Sequence, residues 1–236
     1  ASDVYKRQSQ GRAQTKSAVS YKNPVVDIAM PDPTVIKAAD GYFYVYATES
    51  TRNVPIMKSK DLVEWTYCNT AFTNKTRPRF EPKAGIWAPD INYINGKYVL
   101  YYAMSVWGGE QTCGIGVATA NSPQGPFTDH GKMLRSNEIG VQNSIDPSLL
   151  QYEGRNYLVW GSFRGIYVIE LTADGLSIMP GAKKKRIAGT AFEAVYIHKH
   201  DDYYYMFASI GSCCQGVKST YKVVVGRSKK VWLSLI

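Results

Sequence analysis

One pattern occurs four times in this chain of 236 residues: an acidic residue, a short apolar run, a tight turn and an aromatic strand. The acidic residues, which lie 58, 56 and 47 residues apart, are Asp32, Asp90, Asp146 and Glu193. A period of roughly 40–50 residues with several strands per unit is typical of β-propellers, and Asp-Gly or Asn-Gly between β-rich runs is a strong hairpin signal. The repeat therefore predicts an all-β propeller.

The place of the acids within the repeat predicts that they meet. In a propeller the first strand of each blade lines the central channel, so acids at the same point of four first strands converge on the axis. A single Asp-Pro is usually a turn or a strand cap, because Asp is a common turn residue. Four caps would have no reason to share one phase of the blade, so the pattern favours a functional cluster of carboxylates.

The composition fits one domain with a sizeable core. Aromatic residues make up 13% of the chain and 18 residues are tyrosines, which suits both packing between sheets and stacking on sugars. No run approaches the roughly 18 apolar residues of a membrane span. The formal charge is +9, but the positive residues are scattered, and the one dense cluster, 183–186, is expected to be a solvated loop between blades. We therefore expect no membrane span and no nucleic-acid partner.

Histidines and cysteines give no metal signal. None of the three histidines stands at zinc-ligand spacing from a cysteine or an acid. Cys68 and Cys113 are interpreted as single buried or free thiols. The adjacent Cys213 and Cys214 have two interpretations, which are two reduced thiols in a loop or a vicinal disulfide that stiffens a loop near the channel.

Both ends of the chain look foreign to the fold. Residues 1–8 and 233–236 fit the translation of a sequencing adapter, and such scars are excluded from fold reasoning. Residues 9–24 are polar and aperiodic, which predicts a disordered lead-in. The propeller is accordingly expected over residues 25–232.

Two carboxylates that face one another across a sugar ring can hydrolyse a glycosidic bond. One gives a proton to the leaving oxygen, and the other activates water or attacks carbon. Inverting enzymes hold the two carboxyl groups about 6.5–9.5 Å apart, so that a water fits between them. The acid must keep its proton near neutral pH, which burial or a second carboxylate achieves by raising its pKa. A ring of acids at the end of a propeller channel meets these requirements.

Short motifs along the chain carry a resemblance to a known family. They are Pro31-Asp32-Pro33, Trp87-Ala88-Pro89-Asp90, Ser144-Ile145-Asp146-Pro147, Gly161-Ser162-Phe163 and Phe192-Glu193-Ala194. In this order and spacing they resemble glycoside hydrolase family 43, five-bladed propeller enzymes that act on arabinan and xylan side chains. The stretch 213–221, together with 225–228, is similar to the arabinanase branch of that family. The resemblance spans about residues 25–230 and implies a five-bladed β-propeller, of which this chain holds about four blades.

The resemblance implies a role for each matching residue. Asp32 would be the general base that activates water, Glu193 would be the general acid, and Asp146 would orient Glu193 and tune its acidity. The reaction would invert the anomeric centre. The residues that would bind the sugar are Trp87, Asp90, Asn143, Ser162 and Phe163. For Trp87 and Phe163, packing within the propeller is the alternative to sugar contact.

The chain departs from the family pattern at two places. Val195 stands where many relatives have proline after the acid, so the wall beside Glu193 is expected to differ. The fifth blade, which in relatives carries a channel histidine that often contacts calcium or another ion, is expected to be missing. The resemblance therefore implies no cofactor for the chemistry, and a structural calcium at the axis without its usual histidine.

The leading hypothesis is internal cleavage of α-1,5-linked arabinan. One alternative is an exo-acting α-L-arabinofuranosidase or β-xylosidase of the same family, which differs in the loops around the pocket. The other is a non-catalytic carbohydrate-binding propeller, which the presence of all three acids disfavours. The expected partner is plant cell-wall arabinan or an arabino-oligosaccharide, bound by an extracellular or periplasmic monomer.

Overall fold

Fifteen strands in four antiparallel sheets make up residues 20–231, the part of the chain that the computed structural model describes. Each sheet is a blade of consecutive strands, arranged as in a propeller, so the predicted all-β propeller with about four blades is confirmed. The expected adapter residues 1–8 and 233–236, and the lead-in up to residue 19, lie outside the described residues.

The first two blades hold eight strands. Blade one consists of β1 (Thr34–Lys37), β2 (Phe43–Tyr46), β3 (Pro55–Ser59) and β4 (Thr66–Thr70). Blade two consists of β5 (Gly85–Ile94), β6 (Lys97–Ser105), β7 (Gly114–Ala120) and β8 (Thr128–Arg135). A single helical turn, α1 (Ser136–Ile139), leads out of blade two.

The other two blades hold seven strands. Blade three consists of β9 (Ser148–Tyr152), β10 (Arg155–Trp160), β11 (Ile166–Leu171) and β12 (Lys185–Ala188). Blade four consists of β13 (Glu193–His200), β14 (Tyr203–Ile210) and β15 (Lys222–Ser228), with a 3-10 turn at Gly216–Lys218 before its last strand. Two residues of the basic cluster, Lys185 and Arg186, belong to β12, so the expected loop is partly wrong; the cluster is exposed as expected.

The predicted hairpin turns join the first and second strands of every blade. They lie at 40–41, 95–96, 153–154 and 201–202, each between two antiparallel strands. Asn95 and Gly96 both have positive φ values, 48° and 81°, which is the backbone twist that a two-residue hairpin between right-twisted strands needs. The turn chemistry read from the sequence therefore sets the register of the inner half of each blade.

The core lies between successive blades. Along β6, Leu100 and Tyr102 pack toward blade one, whereas Val99 and Tyr101 pack toward blade three. Side chains alternate across a strand, so a strand buried on both faces has a continuous apolar sequence. Each fully buried large side chain of this kind contributes roughly 1.5–3 kcal/mol.

The outer face of blade four differs, because no further described sheet packs against it. Its exposed apolar residues include Tyr196, Phe207, Val223 and Val225.

Polar side chains on the innermost strands tie neighbouring blades together. Thr34 Oγ1 accepts the backbone N–H of Ile91 at 3.3 Å, and Asp90 Oδ2 accepts the backbone N–H of Leu149 at 2.8 Å. Ser148 Oγ donates to the backbone oxygen of the next inner strand at 2.6 Å. These three side chains occupy the same position in their blades, so they form one repeated inter-blade contact.

The backbone repeat shows that the four acids do not share one phase. Each inner strand has a residue in the left-handed region either two residues before it or within its first four residues; these are Asp32 (φ 49°), Ala88 (42°), Asp146 (56°) and Ala194 (51°). Asp90 comes two residues after this point, at the inter-blade position of Thr34 and Ser148, and Glu193 comes one residue before it. The prediction that all four carboxylates occupy the same position of the repeat is therefore wrong for Asp90. Glu193 lies one residue before that position. A register shift between Trp87 and Asp90 accompanies the difference.

Candidate active site

Three of the predicted acids meet at the starts of the inner strands. Asp32 and Asp146 each precede an inner strand by two residues, and Glu193 is the first residue of β13. Burial raises the pKa of Asp146 well above its usual range, and the charges of Glu193 and Asp32 raise it further, against the effect of the Ala194 N–H, which hydrogen-bonds to its carboxylate. The three carboxylates are therefore close enough for the charges of Glu193 and Asp32 to act on Asp146.

Glu193 is held by two residues that were predicted to bind substrate. Ser162 Oγ donates to Glu193 Oε2 at 2.6 Å. Asn143 Nδ2 donates to Ser162 Oγ at 2.9 Å and to the Ser162 backbone oxygen at 3.1 Å. Ser162 is 2% exposed, so its placement favours holding the carboxylate of Glu193 over contacting a sugar.

Tyr221 is a site residue that sequence reasoning missed. Its hydroxyl is hydrogen-bonded to Glu193 and to Ser209, and burial together with the Glu193 contact raises the pKa of Tyr221 above its usual value. The signal that pointed to it is the stretch 213–221, which was noted only as a branch motif.

The loop that delivers Tyr221 carries a disulfide. Cys213 and Cys214 are bonded to one another, as the second interpretation predicted, whereas Cys68 and Cys113 are free. Two hydrogen bonds close the loop: Thr220 N–H donates to Ser212 O at 3.0 Å, and Ser212 N–H donates to Thr220 Oγ1 at 3.1 Å. The loop is thus braced immediately before the residue that contacts Glu193.

Asp32 is exposed and has one hydrogen-bond partner in the described chain. Thr48 Oγ1 donates to Asp32 Oδ2 at 2.6 Å. The two carboxylates predicted as acid and base therefore differ in surroundings. Glu193 is hydrogen-bonded to two hydroxyl groups, whereas Asp32 is exposed and, among the described residues, has a hydrogen bond on one oxygen only.

Two tryptophans flank this region. Trp87 is partly buried and packs against Ala103, Cys113 and Ile145, the residue before Asp146. Its ring contacts that of Trp107 with centroids 5.7 Å apart. Trp107 is 79% exposed, and the sequence analysis did not single it out. The pair offers an aromatic surface beside the acids, so sugar stacking by Trp87 stays a prediction, with Trp107 as a second contributor.

Phe163 and Asp90 have protein contacts that restrict their roles. Phe163 is half-buried, has a positive φ of 49°, and donates its backbone N–H to Phe192 O at 3.0 Å, beside Glu193. Asp90 is 7% exposed, and burial raises its pKa to about 6. Its Oδ2 also accepts from Asn92 Nδ2 at 2.7 Å, so it mainly joins blades, and sugar binding by either residue stays a prediction.

No metal site is formed by the described side chains. Within residues 20–231, no three His, Cys, Asp or Glu side chains are grouped so that they could hold a metal ion. The structural calcium that the resemblance implied stays a prediction, and no chemical step is assigned to it. No helix in this part of the chain has the length and apolarity to cross a membrane.

Comparison with known proteins supports the interpretation drawn from the geometry of the site. The family model described as Glycosyl hydrolases family 43 matches residues 21–234. The extracellular endo-alpha-(1->5)-L-arabinanase 1 of Bacillus subtilis (strain 168) is 37% identical over 214 residues, which cover 85% of this chain and 65% of that protein. The extracellular exo-alpha-(1->5)-L-arabinofuranosidase ArbA of Cellvibrio japonicus (strain Ueda107) is 34% identical, over 85% of this chain and 64% of that protein. The chain thus spans slightly less than two thirds of the length of these two curated relatives.

Solved structures of related proteins share the fold. The structure of Cellvibrio cellulosa alpha-L-arabinanase complexed with arabinohexaose aligns with a TM-score of 0.77 and 31% identity, over 87% of this chain and 72% of that one. An exo-1,5-alpha-L-arabinanase from a bovine ruminal metagenomic library aligns with a TM-score of 0.75 and 33% identity, over 90% of this chain and 75% of that one. The resemblance read from the short motifs is therefore confirmed at the level of the family.

Proposed function

The chain belongs to glycosyl hydrolase family 43, and we propose that it hydrolyses the α-1,5-linked L-arabinofuranosyl bonds of arabinan. The observation that carries the proposal is the meeting of Asp32, Asp146 and Glu193 at the starts of three inner strands. Relatives whose names state arabinan-cleaving activity support the substrate class.

The proposed reaction uses two of the carboxylates directly. Asp32 takes a proton from a water molecule as the water oxygen attacks the anomeric carbon, and Glu193 gives its proton to the leaving glycosidic oxygen. One C–O bond forms, one breaks, and the anomeric centre is inverted. Glu193 is suited to the acid role because Ser162 and Tyr221 fix its carboxyl group in one orientation.

Asp146 has a supporting role in this scheme. The Ala194 N–H hydrogen-bonds to its carboxylate, which ties Asp146 to the backbone directly after Glu193. The charge of Glu193 also raises the pKa of Asp146, so the two carboxyl groups are coupled electrostatically as well as through the backbone. Asp146 therefore orients Glu193 and adjusts its readiness to give up a proton.

Cleavage within the polymer is the favoured mode, on the likeness to the Bacillus subtilis endo-arabinanase. Removal of terminal residues is the second candidate, because an exo-acting relative is 34% identical over a similar share of the chain. Both relatives are extracellular proteins, which supports the proposal that this protein acts in the extracellular space or the periplasm. We propose further that it acts as a monomer.

Product analysis on linear debranched arabinan tests the proposal. The protein, expressed from its full-length gene, is expected to release a ladder of arabino-oligosaccharides that can be resolved by size. Arabinose alone would establish the exo mode. A folded protein that binds the polymer and releases nothing would make it a carbohydrate-binding propeller. The Glu193→Gln variant lacks the proton donor and controls for contaminating activity.

A further inference from the structure

A hydrogen-bonded relay connects Asp32 to the neighbouring blade. Thr48, two residues beyond β2, donates from Oγ1 to Asp32 Oδ2 at 2.6 Å. The backbone N–H of Ala88, on β5 of the next blade, donates to the same Thr48 oxygen at 2.7 Å. The hydroxyl of Thr48 thus joins the proposed base to the backbone of blade two.

The two contacts fix the direction of the hydroxyl proton. A hydroxyl donates one proton and accepts through its lone pairs, whereas a backbone N–H only donates. Thr48 must therefore accept from Ala88 and give its own proton to Asp32. This occupies Oδ2 of the carboxylate, while Oδ1 accepts no hydrogen bond from residues 20–231. The free oxygen is the one available to take a proton from water.

The backbone holds Thr48 on both sides. Its own N–H donates to Pro31 O at 2.9 Å, next to Asp32. The following residue, Glu49, donates its N–H to Ile86 O at 3.1 Å and accepts the Ile86 N–H on Oε1 at 2.9 Å. A hydroxyl fixed by this many backbone contacts has little freedom, so it can hold the carboxylate of Asp32 in one rotamer.

Glu193, the proposed acid, is held in the same way by a hydroxyl group. Asn143 Nδ2 donates to Ser162 Oγ, which in turn donates to Glu193 Oε2. Each proposed catalytic carboxylate thus has a hydroxyl group behind it whose direction is set by an N–H donor. The proposed base and the proposed acid are therefore positioned by two separate hydrogen-bonded relays, and substitutions in each relay can be tested separately.

We infer that Thr48 is a positioning residue for the base, which holds Asp32 so that Oδ1 faces the attacking water. The inference rests on the proposed role of Asp32. Loss of a hydrogen bond to a charged group is expected to lower kcat about ten- to a hundredfold. Because Thr48 contacts Asp32 rather than the sugar, KM is expected to stay within about twofold of the wild-type value.

The test compares Thr48→Val, which removes the hydroxyl at similar volume, with Thr48→Ser, which keeps it. Thr66→Val, at an exposed position of β4, is the matched control. Rates are measured on linear arabinan and on the 4-nitrophenyl glycoside of α-1,5-arabinotriose. The nitrophenolate leaves without a proton, so a defect of the acid shrinks on this substrate and a defect of the base persists.

The inference predicts that Thr48→Val loses kcat to the same extent on both substrates, and that Thr48→Ser retains at least a third of wild-type kcat. Ser162→Ala, which acts through the acid, should lose much less on the nitrophenyl glycoside. If Thr48→Val does not fold, Thr48→Ala replaces it and must show the same loss.

A kcat within twofold of wild type, a loss through KM alone, or a loss confined to linear arabinan would overturn the role of Thr48. A wild-type protein that cleaves neither substrate would instead overturn the proposed function, and with it the basis of the inference.

Discussion

The hydroxyl of Ser162 donates a 2.6 Å hydrogen bond to Glu193 Oε2, and the two residues also form a β-bridge between blades three and four. The carboxyl of Glu193 is therefore placed by a neighbouring blade and not by its own strand alone. Ser162 is 2% exposed, and its hydroxyl cannot turn elsewhere without losing this hydrogen bond, so the contact restricts Glu193 to one orientation.

Ser162→Ala is expected to lower kcat on linear arabinan about tenfold or more, because Glu193 loses one of the two contacts that orient it. KM should change little, since Ser162 has almost no surface for the sugar. Steady-state kinetics on arabinan measures both values, and Ser177→Ala, at an exposed turn of blade three, is the control. A raised KM at unchanged kcat would show that Ser162 binds substrate instead.

Tyr221→Phe removes the other hydroxyl that contacts Glu193 and leaves the ring in place. We expect a loss in kcat of about tenfold, with a melting temperature close to that of the wild type, because the ring is partly exposed and keeps its packing. The control is Tyr67→Phe, at an exposed position of β4. Wild-type kcat in Tyr221→Phe would mean that Ser162 alone suffices to hold the acid.

The blades and three of the acids could be predicted from the sequence because their signals are local. An Asn-Gly or Asp-Gly turn between two β-rich runs determines a hairpin from a few residues, and four such hairpins determine a propeller. Asp32, Asp146 and Glu193 each lie within two residues of the start of an inner strand, so counting along the repeat was enough to find them.

The phase of Asp90 and the contacts of Tyr221 could not be predicted in this way. The register of β5 shifts between Trp87 and Asp90, and such a bulge leaves no trace in the alternation of apolar and polar residues. Tyr221 reaches Glu193 at the end of a loop, and the path of a loop depends on packing that is distant in sequence. Both misses thus arise where tertiary structure overrides a local pattern.

The Asp146→Asn variant is expected to be more stable than the wild type at neutral pH, and less active. Burial first, and then the charges of Glu193 and Asp32, raise the pKa of Asp146 well above its usual range. The protonated form therefore contributes stability that is fully present below the unfolded value near 3.8 and is lost as the pH rises through the folded pKa. Asparagine cannot ionise, so the variant keeps this stability at high pH.

The measurement is the melting temperature of wild type and Asp146→Asn at about pH 3.5 and about pH 8. The variant should melt higher than the wild type at the upper pH and close to it at the lower pH, while its turnover of arabinan falls by orders of magnitude. Asp202→Asn, at an exposed hairpin turn, controls for the change in net charge. Equal melting temperatures at both pH values would mean that Asp146 is not under electrostatic strain in the folded protein.

The buried carboxyl group of Asp90 predicts a second pH dependence of folding stability, which arises from contacts between blades and not from the proposed catalytic residues. Burial raises its pKa from 3.8 to about 6, against the hydrogen bonds from Asn92 and Leu149. The sign is the same as for Asp146: the stability is complete below about pH 3.8 and is lost as the pH rises through about 6. A difference of about two pKa units corresponds to roughly 3 kcal/mol.

Asp90→Asn should remove this loss, because the amide oxygen can still accept the Leu149 N–H and the amide NH2 can donate to Thr34 Oγ1. Chemical unfolding between pH 4 and 8 should then show a flatter stability profile than wild type, with activity on arabinan largely kept, since Asp90 joins blades two and three and is nearly closed to solvent. An unchanged profile would place the ionisation elsewhere. A flat profile with activity lost would show instead that this carboxylate also reaches the sugar.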